Sequence, residues 1–214
     1  MKKSVYSLVL MDEVVDQVDR LAYSMHTNRS NMINQILAEY CSMLTPEKRM
    51  RSTLSQLEQL FDQLGFQPLS QPTGTMLMVR SALPFKYNPS VRYRVELFRS
   101  LEPEFGQLQV QLRTQNRQLI NYVNGFMKIW GNIEKKYLGD CRSMVEDGRF
   151  YRNLRFNSLF EQQPELMGES IYNYVNHLDR ALKLYFEYLD QPAYAIRLVE
   201  QVMREYAKSG KGVL

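Results

Sequence analysis

The stretch from Lys3 to Leu44 joins one short strand pattern to two helix patterns, and that combination constrains the fold most. Ser4-Val5-Tyr6-Ser7-Leu8-Val9-Leu10 reads as a strand. Asp12-Glu13 then suits the positive end of a starting helix. Val14, Val15, Val18, Leu21, Ala22 and Met25 follow at close to i, i+3, i+4, i+7 spacing. His26-Thr27-Asn28 breaks this helix, and Asn28 suits the N-cap of a second one, Arg29 to about Met43. Met32, Ile33, Ile36, Leu37 and Tyr40 share its apolar face. A lone strand leaves N–H and C=O groups unpaired on both edges, and so short a segment cannot build a core around it. A second copy of the chain resolves both problems. Two strands pair antiparallel across a two-fold axis, and four helices close over them.

This order of elements resembles the ribbon-helix-helix superfamily of bacterial repressors, the Arc and MetJ type. Tyr6-Ser7-Leu8-Val9-Leu10 matches the ribbon, and Asp12 to Ala22 matches the first helix. Asn28-Arg29-Ser30-Asn31-Met32-Ile33 matches the polar cap, Arg-Ser pair and apolar residue that open the second helix. The match covers about a fifth of the chain. It implies a homodimer formed through the N-terminal strand and helices, bound to double-stranded DNA with the ribbon in the major groove. Alternation puts Tyr6, Leu8 and Leu10 inward and leaves Val5, Ser7 and Val9 to face the bases. Lys2, Lys3, Asn28, Arg29 and Ser30 would meet phosphates, the last three at a helix N-terminus. Two features depart from the family. Two of the three outward strand residues are valine, and residues 1–44 hold four Lys/Arg against five Asp/Glu, net −1. Affinity for DNA rests largely on phosphate neutralisation, so the few cations here must act locally, doubled by the dimer.

Thr45-Pro46 signals the start of a third helix, with Leu54, Leu57, Leu60, Phe61 and Leu64 on one face and Gly65 as its stop. Gln67 to Gly74 holds two prolines, a glycine and no charge, and reads as a linker. From Thr75 the period changes to two. Met76–Ala82, Val91–Phe98 and Gln107–Thr114 form an expected antiparallel meander with one polar face: Arg92, Arg94, Glu96, Gln109, Gln111 and Arg113. That face is either simply solvated or a platform for a ligand.

Leu119 to Ile133 carries a strong helical stripe, closed by Gly139 and Asp140. Cys141–Phe160 follows and reads as helical, with Arg149, Arg152 and Arg155 on one helix face as a second basic patch. Its alternative is an ordinary surface arginine face over packed aromatics. Two last helices occupy Pro164 to Leu189 and the segment after Asp190-Gln191-Pro192, and Gly210-Lys211-Gly212 reads as a frayed tail.

The expected fold class is α+β: a module at 1–44, a connecting helix and linker at 45–74, and a domain of a few strands and several helices at 75–214. The chain is mildly basic at +4, and the positive charge lies in residues 65–214, where 20 Lys/Arg face 15 Asp/Glu. Two cysteines and two histidines, far apart in sequence, supply neither a disulfide framework nor a metal site. No His-Glu-x-x-His, Cys-x-x-Cys or phosphate loop occurs, so neither an enzyme nor a cofactor is expected. No apolar run reaches bilayer length and Asp12-Glu13 interrupts any signal core, so a cytoplasmic protein without a membrane partner is expected. The reading is a dimeric, sequence-specific transcriptional regulator whose C-terminal domain receives an effector or protein partner. The alternative is an interaction protein that uses the N-terminal part only as a dimer clasp. A third possibility is one enzyme or ligand-binding domain with the first strand in its sheet, which a monomeric solution mass would favour.

Overall fold

The structure is a computed structural model that describes residues 4–41, 43–71, 73–139, 141–146, 148–163 and 165–210. The chain divides into two compact units, residues 1–49 and 50–214.

In the first unit, helix α1 spans Asp12–Ser24 and helix α2 spans Arg29–Tyr40, as their periodicity requires. The Asn28 side chain accepts the Asn31 amide at 2.9 Å and caps α2. Val18, Ala22 and Met32 are its buried apolar residues, with Met25 and Ile33 packed against them. Ser4–Met11 forms no hydrogen-bonded strand, which corrects the expected β-start: among the described residues the first strand follows three helices. The physical reason is the one that made the segment distinctive. A β-strand needs another edge, and a single copy offers none here.

Helix α3, Pro46–Gln63, starts where Thr45 Oγ1 accepts the Lys48 amide at 3.2 Å. It ends in a glycine cap: Gly65 has φ +75°, and the Phe66 amide donates back to the Phe61 carbonyl at 3.1 Å. Met50, Leu54, Leu57 and Phe61 on its inner face belong to the core of the second unit. From Met50 on, α3 is therefore part of that unit and not a connector, and the boundary falls at Arg49/Met50, in the first turn of the helix, instead of in Gln67–Gly74. The expected linker also holds a two-residue edge strand, β1 (Gln67–Pro68).

The remaining strands are β2 (Met76–Ala82), β3 (Ser90–Leu97), β4 (Glu104–Leu112), β5 (Ser143–Glu146) and β6 (Arg149–Arg155). They form one antiparallel sheet in the order β1-β2-β3-β4-β6-β5. Helices α4 (Arg117–Leu138), α5 (Leu159–Gln162), α6 (Glu165–Glu187) and α7 (Pro192–Lys208) complete the chain. Asp140, Pro164 and Lys211-Gly212, to which a helix end, a helix start and a frayed tail were assigned, lie outside the described residues.

The three expected meander strands are present, and their alternation sorts two faces. Leu77, Val79, Val91, Tyr93, Val95, Leu108, Val110, Phe150 and Leu154 join α3, α4, α6 and α7 in one apolar core. At Gly106, beside a register irregularity in β4, an added Cβ would stand 2.5 Å from the Glu96 carbonyl oxygen, so only glycine fits.

The segment Cys141–Phe160 is a correction. Arg149, Arg152 and Arg155 lie on strand β6, where the period of two separates them. Phe150, Arg152 and Leu154 point into the core, and Arg149 and Arg155 are exposed on the other face. The expected helical arginine patch therefore does not form. The strand is set by a two-residue hairpin connection, with Glu146 opposite Arg149 and Gly148 at φ +73°.

Two buried polar groups pin the layers together. Asp179 on α6 accepts hydrogen bonds from Tyr93 Oη at 2.8 Å and Ser81 Oγ at 3.1 Å, and pairs with Lys183 Nζ at 2.7 Å. Arg152 pairs with Glu134 of α4, and both are buried. The Arg152 guanidinium also lies 4.3 Å from the Tyr174 ring centroid, and Tyr174 Oη accepts from Trp130 Nε1 at 2.9 Å.

Burial, reinforced by Asp179 for Tyr93 and by Glu134 for Tyr174, pushes both phenols well above the usual tyrosine value. A raised folded value means a contribution fully present below the unfolded value of about 10 and lost as pH rises towards the folded one. The second unit is therefore expected to lose stability above about pH 10. Denaturant midpoints should fall there in step with delayed, cooperative tyrosinate absorbance. A flat midpoint through that range would contradict the buried placement of these rings.

Candidate functional site

The first candidate is the N-terminal unit. Val5 and Val9 are fully exposed, and Ser7 between them is exposed too. Tyr6 and Leu8 are also mainly in solvent, and Leu10 is 40% exposed. An apolar segment of this kind has no surface to bury against within its own unit. Val14, Leu21, Ile36 and Leu37 on the two helices are likewise exposed.

Lys2 and Lys3 lie outside the described residues. Asn28 spends its side-chain oxygen on the α2 cap, and the amides of Arg29 and Ser30 have no intrahelical partner, as the geometry of a helix start dictates. Arg29 forks onto Asp19, with its Nε donating at 2.7 Å, and this pair draws the Asp19 carboxyl below its usual value. Both side chains are exposed, so the pair is open to exchange with another anion.

The second candidate is the outer face of the sheet, which the polar alternation of β3 and β4 indicated. Register arranges it in three cross-strand rows. The first runs Arg80, Arg92, Gln111, Arg149, Glu146. The second runs Met78, Arg94, Gln109, Tyr151, Met144, and the third Met76, Glu96, Gln107, Asn153. The face is concave and encloses about 450 Å³ over Arg92, Arg94, Gln109, Gln111, Arg149 and Tyr151, among others.

Its two ends differ chemically. At one, Gln107 Nε2 donates to Asn153 Oδ1 at 3.0 Å, and Asn153 Nδ2 donates to Glu104 at 2.8 Å, so the polar groups satisfy each other. At the other stand Arg80, Arg92 and Arg149, and Arg94 of the middle row turns away to Glu96 at 2.8 Å through a terminal nitrogen only. The Nε atoms of Arg92 and Arg94 are buried there without a partner among the described residues. Buried donors are ordinarily satisfied, so these two mark a place where an acceptor is missing.

Arg149 and Tyr151 were not assigned to this face from the sequence, because β6 read as a helix. The Asp147-Gly148 dipeptide was the available signal, being the strongest short-range mark of a two-residue hairpin. Arg113, expected on the face, lies past the end of β4 and is exposed.

Elsewhere, His177 hydrogen-bonds the Asn173 carbonyl at 2.7 Å and packs against Tyr206 with its ring tilted. Cys41 is an exposed thiol at the C-cap of α2. Among the described residues no group of three His, Cys, Asp or Glu side chains is placed to hold a metal ion. Nor is any described helix long and apolar enough to cross a membrane. No family model, curated protein or solved structure matches this chain.

Proposed function

We propose that the protein is a dimeric, sequence-specific DNA-binding protein, of the kind that regulates transcription in bacteria. The observation that carries this reading is the exposed apolar segment Tyr6-Ser7-Leu8-Val9-Leu10 ahead of a two-helix pair with only three buried apolar residues. Such a segment is stable in water when a second copy pairs with it edge to edge and buries the Tyr6, Leu8 and Leu10 row. The resulting two-stranded ribbon has the width that a DNA major groove admits. Val5, Ser7 and Val9 face outward, and the start of α2, with Arg29 and Ser30, lies where phosphates are received in ribbon-helix-helix proteins. Valine gives apolar contact to thymine methyl groups, and Ser7 contributes a hydrogen bond.

The Arg29–Asp19 pair favours a second reading, in which the ribbon is only a dimer clasp, because it satisfies the cation that would meet DNA. Titrating duplex DNA of mixed sequence against the full chain, with solution mass measured in parallel, separates the two. A dimer that binds duplex and loses that affinity with Ser7→Ala plus Arg29→Ala supports the first. A dimer without DNA affinity supports the clasp, and a monomer sinks both.

A further inference from the structure

The outer face of the sheet in the second unit has an unsatisfied basic end. Arg80 and Arg92 are directly opposite each other on neighbouring strands. Like charges so placed destabilise a ladder. Arg80 leans on Gln67, its Nε donating at 3.0 Å, but neither Arg92 nor Arg149 has an ion-pair partner among the described residues. Glu146 lies opposite Arg149 in the register without pairing to it. The Nε atoms of Arg92 and Arg94 are buried and unbonded beneath the concavity. A fold that keeps repelling cations and orphaned donors on one concave surface is built to receive an anion.

We propose that this face binds a small molecule carrying a phosphate group, held by Arg92 and Arg149 above Gln111, with the body of the ligand beside Tyr151. Arg92 and Arg149 stand two strands apart, roughly 10 Å between backbones, and both line the concavity beside the intervening Gln111, within reach of one ligand. The Nε and a terminal nitrogen of a guanidinium form a planar fork that matches two phosphate oxygens, and the Nε of Arg92 has no acceptor among the described residues. The next row supplies the Tyr151 ring and the Met78 side chain for the non-phosphate part. A concavity of about 450 Å³ falls in the size range of small-molecule sites. A nucleic acid strand fits less well. The face carries Glu96, Glu104 and Glu146 among its arginines, and an extended polyanion tracking across it would meet those carboxylates. The site stands independently of whether the N-terminal unit binds DNA.

The test uses the full chain with four probes: inorganic phosphate, adenosine 5′-monophosphate, adenosine, and single-stranded oligonucleotides of increasing length. Titration calorimetry should show the monophosphate binding, phosphate binding more weakly, and adenosine not binding. Arg92→Gln combined with Arg149→Gln should weaken the monophosphate at least about tenfold, the size of one lost charge-assisted hydrogen bond. The melting temperature of the unliganded variant should stay level or rise, because the Arg80–Arg92 repulsion is gone. Should that pair fail to fold, Arg149→Gln alone, at an exposed strand position, reads the same loss. The proposal is overturned if neither phosphate probe binds beyond a sodium chloride control of equal ionic strength, or if the variants bind as the parent does. It is also overturned if oligonucleotides displace the monophosphate with an affinity that grows with length, which would make the face a nucleic-acid surface.

Discussion

Replacing Glu134 alone by leucine should destabilise the second unit by about 3–5 kcal/mol. Arg152 is 1% exposed and is paired with this carboxylate in the core. Burial alone would lower the Arg152 guanidinium; Tyr174 and Glu134 beside it reverse that and hold it above the ordinary arginine value, so it stays charged. Without Glu134 the positive charge stays in an apolar interior, bounded by the Tyr174 ring and the half-buried Cys141 thiol. For a unit of this size the loss appears as a fall in melting temperature of about 10 °C. The double variant Glu134→Leu with Arg152→Met should recover most of it, since removing both charges also removes their desolvation cost. Thermal unfolding of the three proteins decides the matter. A single variant within about 1 kcal/mol of the parent would mean that water reaches the pair.

The second large effect concerns the N-terminal segment. Leu8→Asp should abolish the dimer and lower affinity for duplex DNA by at least about a hundredfold, some 3 kcal/mol. Two-fold symmetry places the substituted residue in both strands, so two carboxylates would face one small apolar core. In the single chain Leu8 is 61% exposed, so the substitution leaves the folding of one copy untouched. Helical content and the melting of the second unit should therefore match the parent while solution mass halves. A dimer that survives Leu8→Asp would show that the segment is not the contact between copies.

Much of this architecture was legible because helices and exposed-face strands each write a clear period. The α1, α2, α4, α6 and α7 stripes and the alternation of β2, β3 and β4 follow directly from residue spacing. The β5–β6 hairpin did not, for a physical reason. In Arg149-Phe150-Tyr151-Arg152-Asn153-Leu154-Arg155 the arginines repeat every three residues while the burial repeats every two. Arginine at an inward position breaks the polarity rule by which faces are assigned. It is tolerated only because Glu134, on a different element, comes to meet it, and no local pattern records that pairing. The role of α3 was hidden similarly: its amphipathic face was plain, but not which core it served. On the sheet face, Arg92, Arg94, Gln109 and Gln111 were found by alternation. Arg149 and Tyr151 had to wait for the strand that carries them.

In the proposed dimer the N-terminal segments of two chains pair into a ribbon that reads DNA. Selection of bound sequences from random duplex DNA with the full-length protein, repeated at two salt concentrations, tests it most directly. The expected result is enrichment of a two-fold-symmetric site that persists at the higher salt and is lost with Leu8→Asp. Failure to enrich any sequence, or weak binding that vanishes with salt and is indifferent to Leu8→Asp, would contradict it.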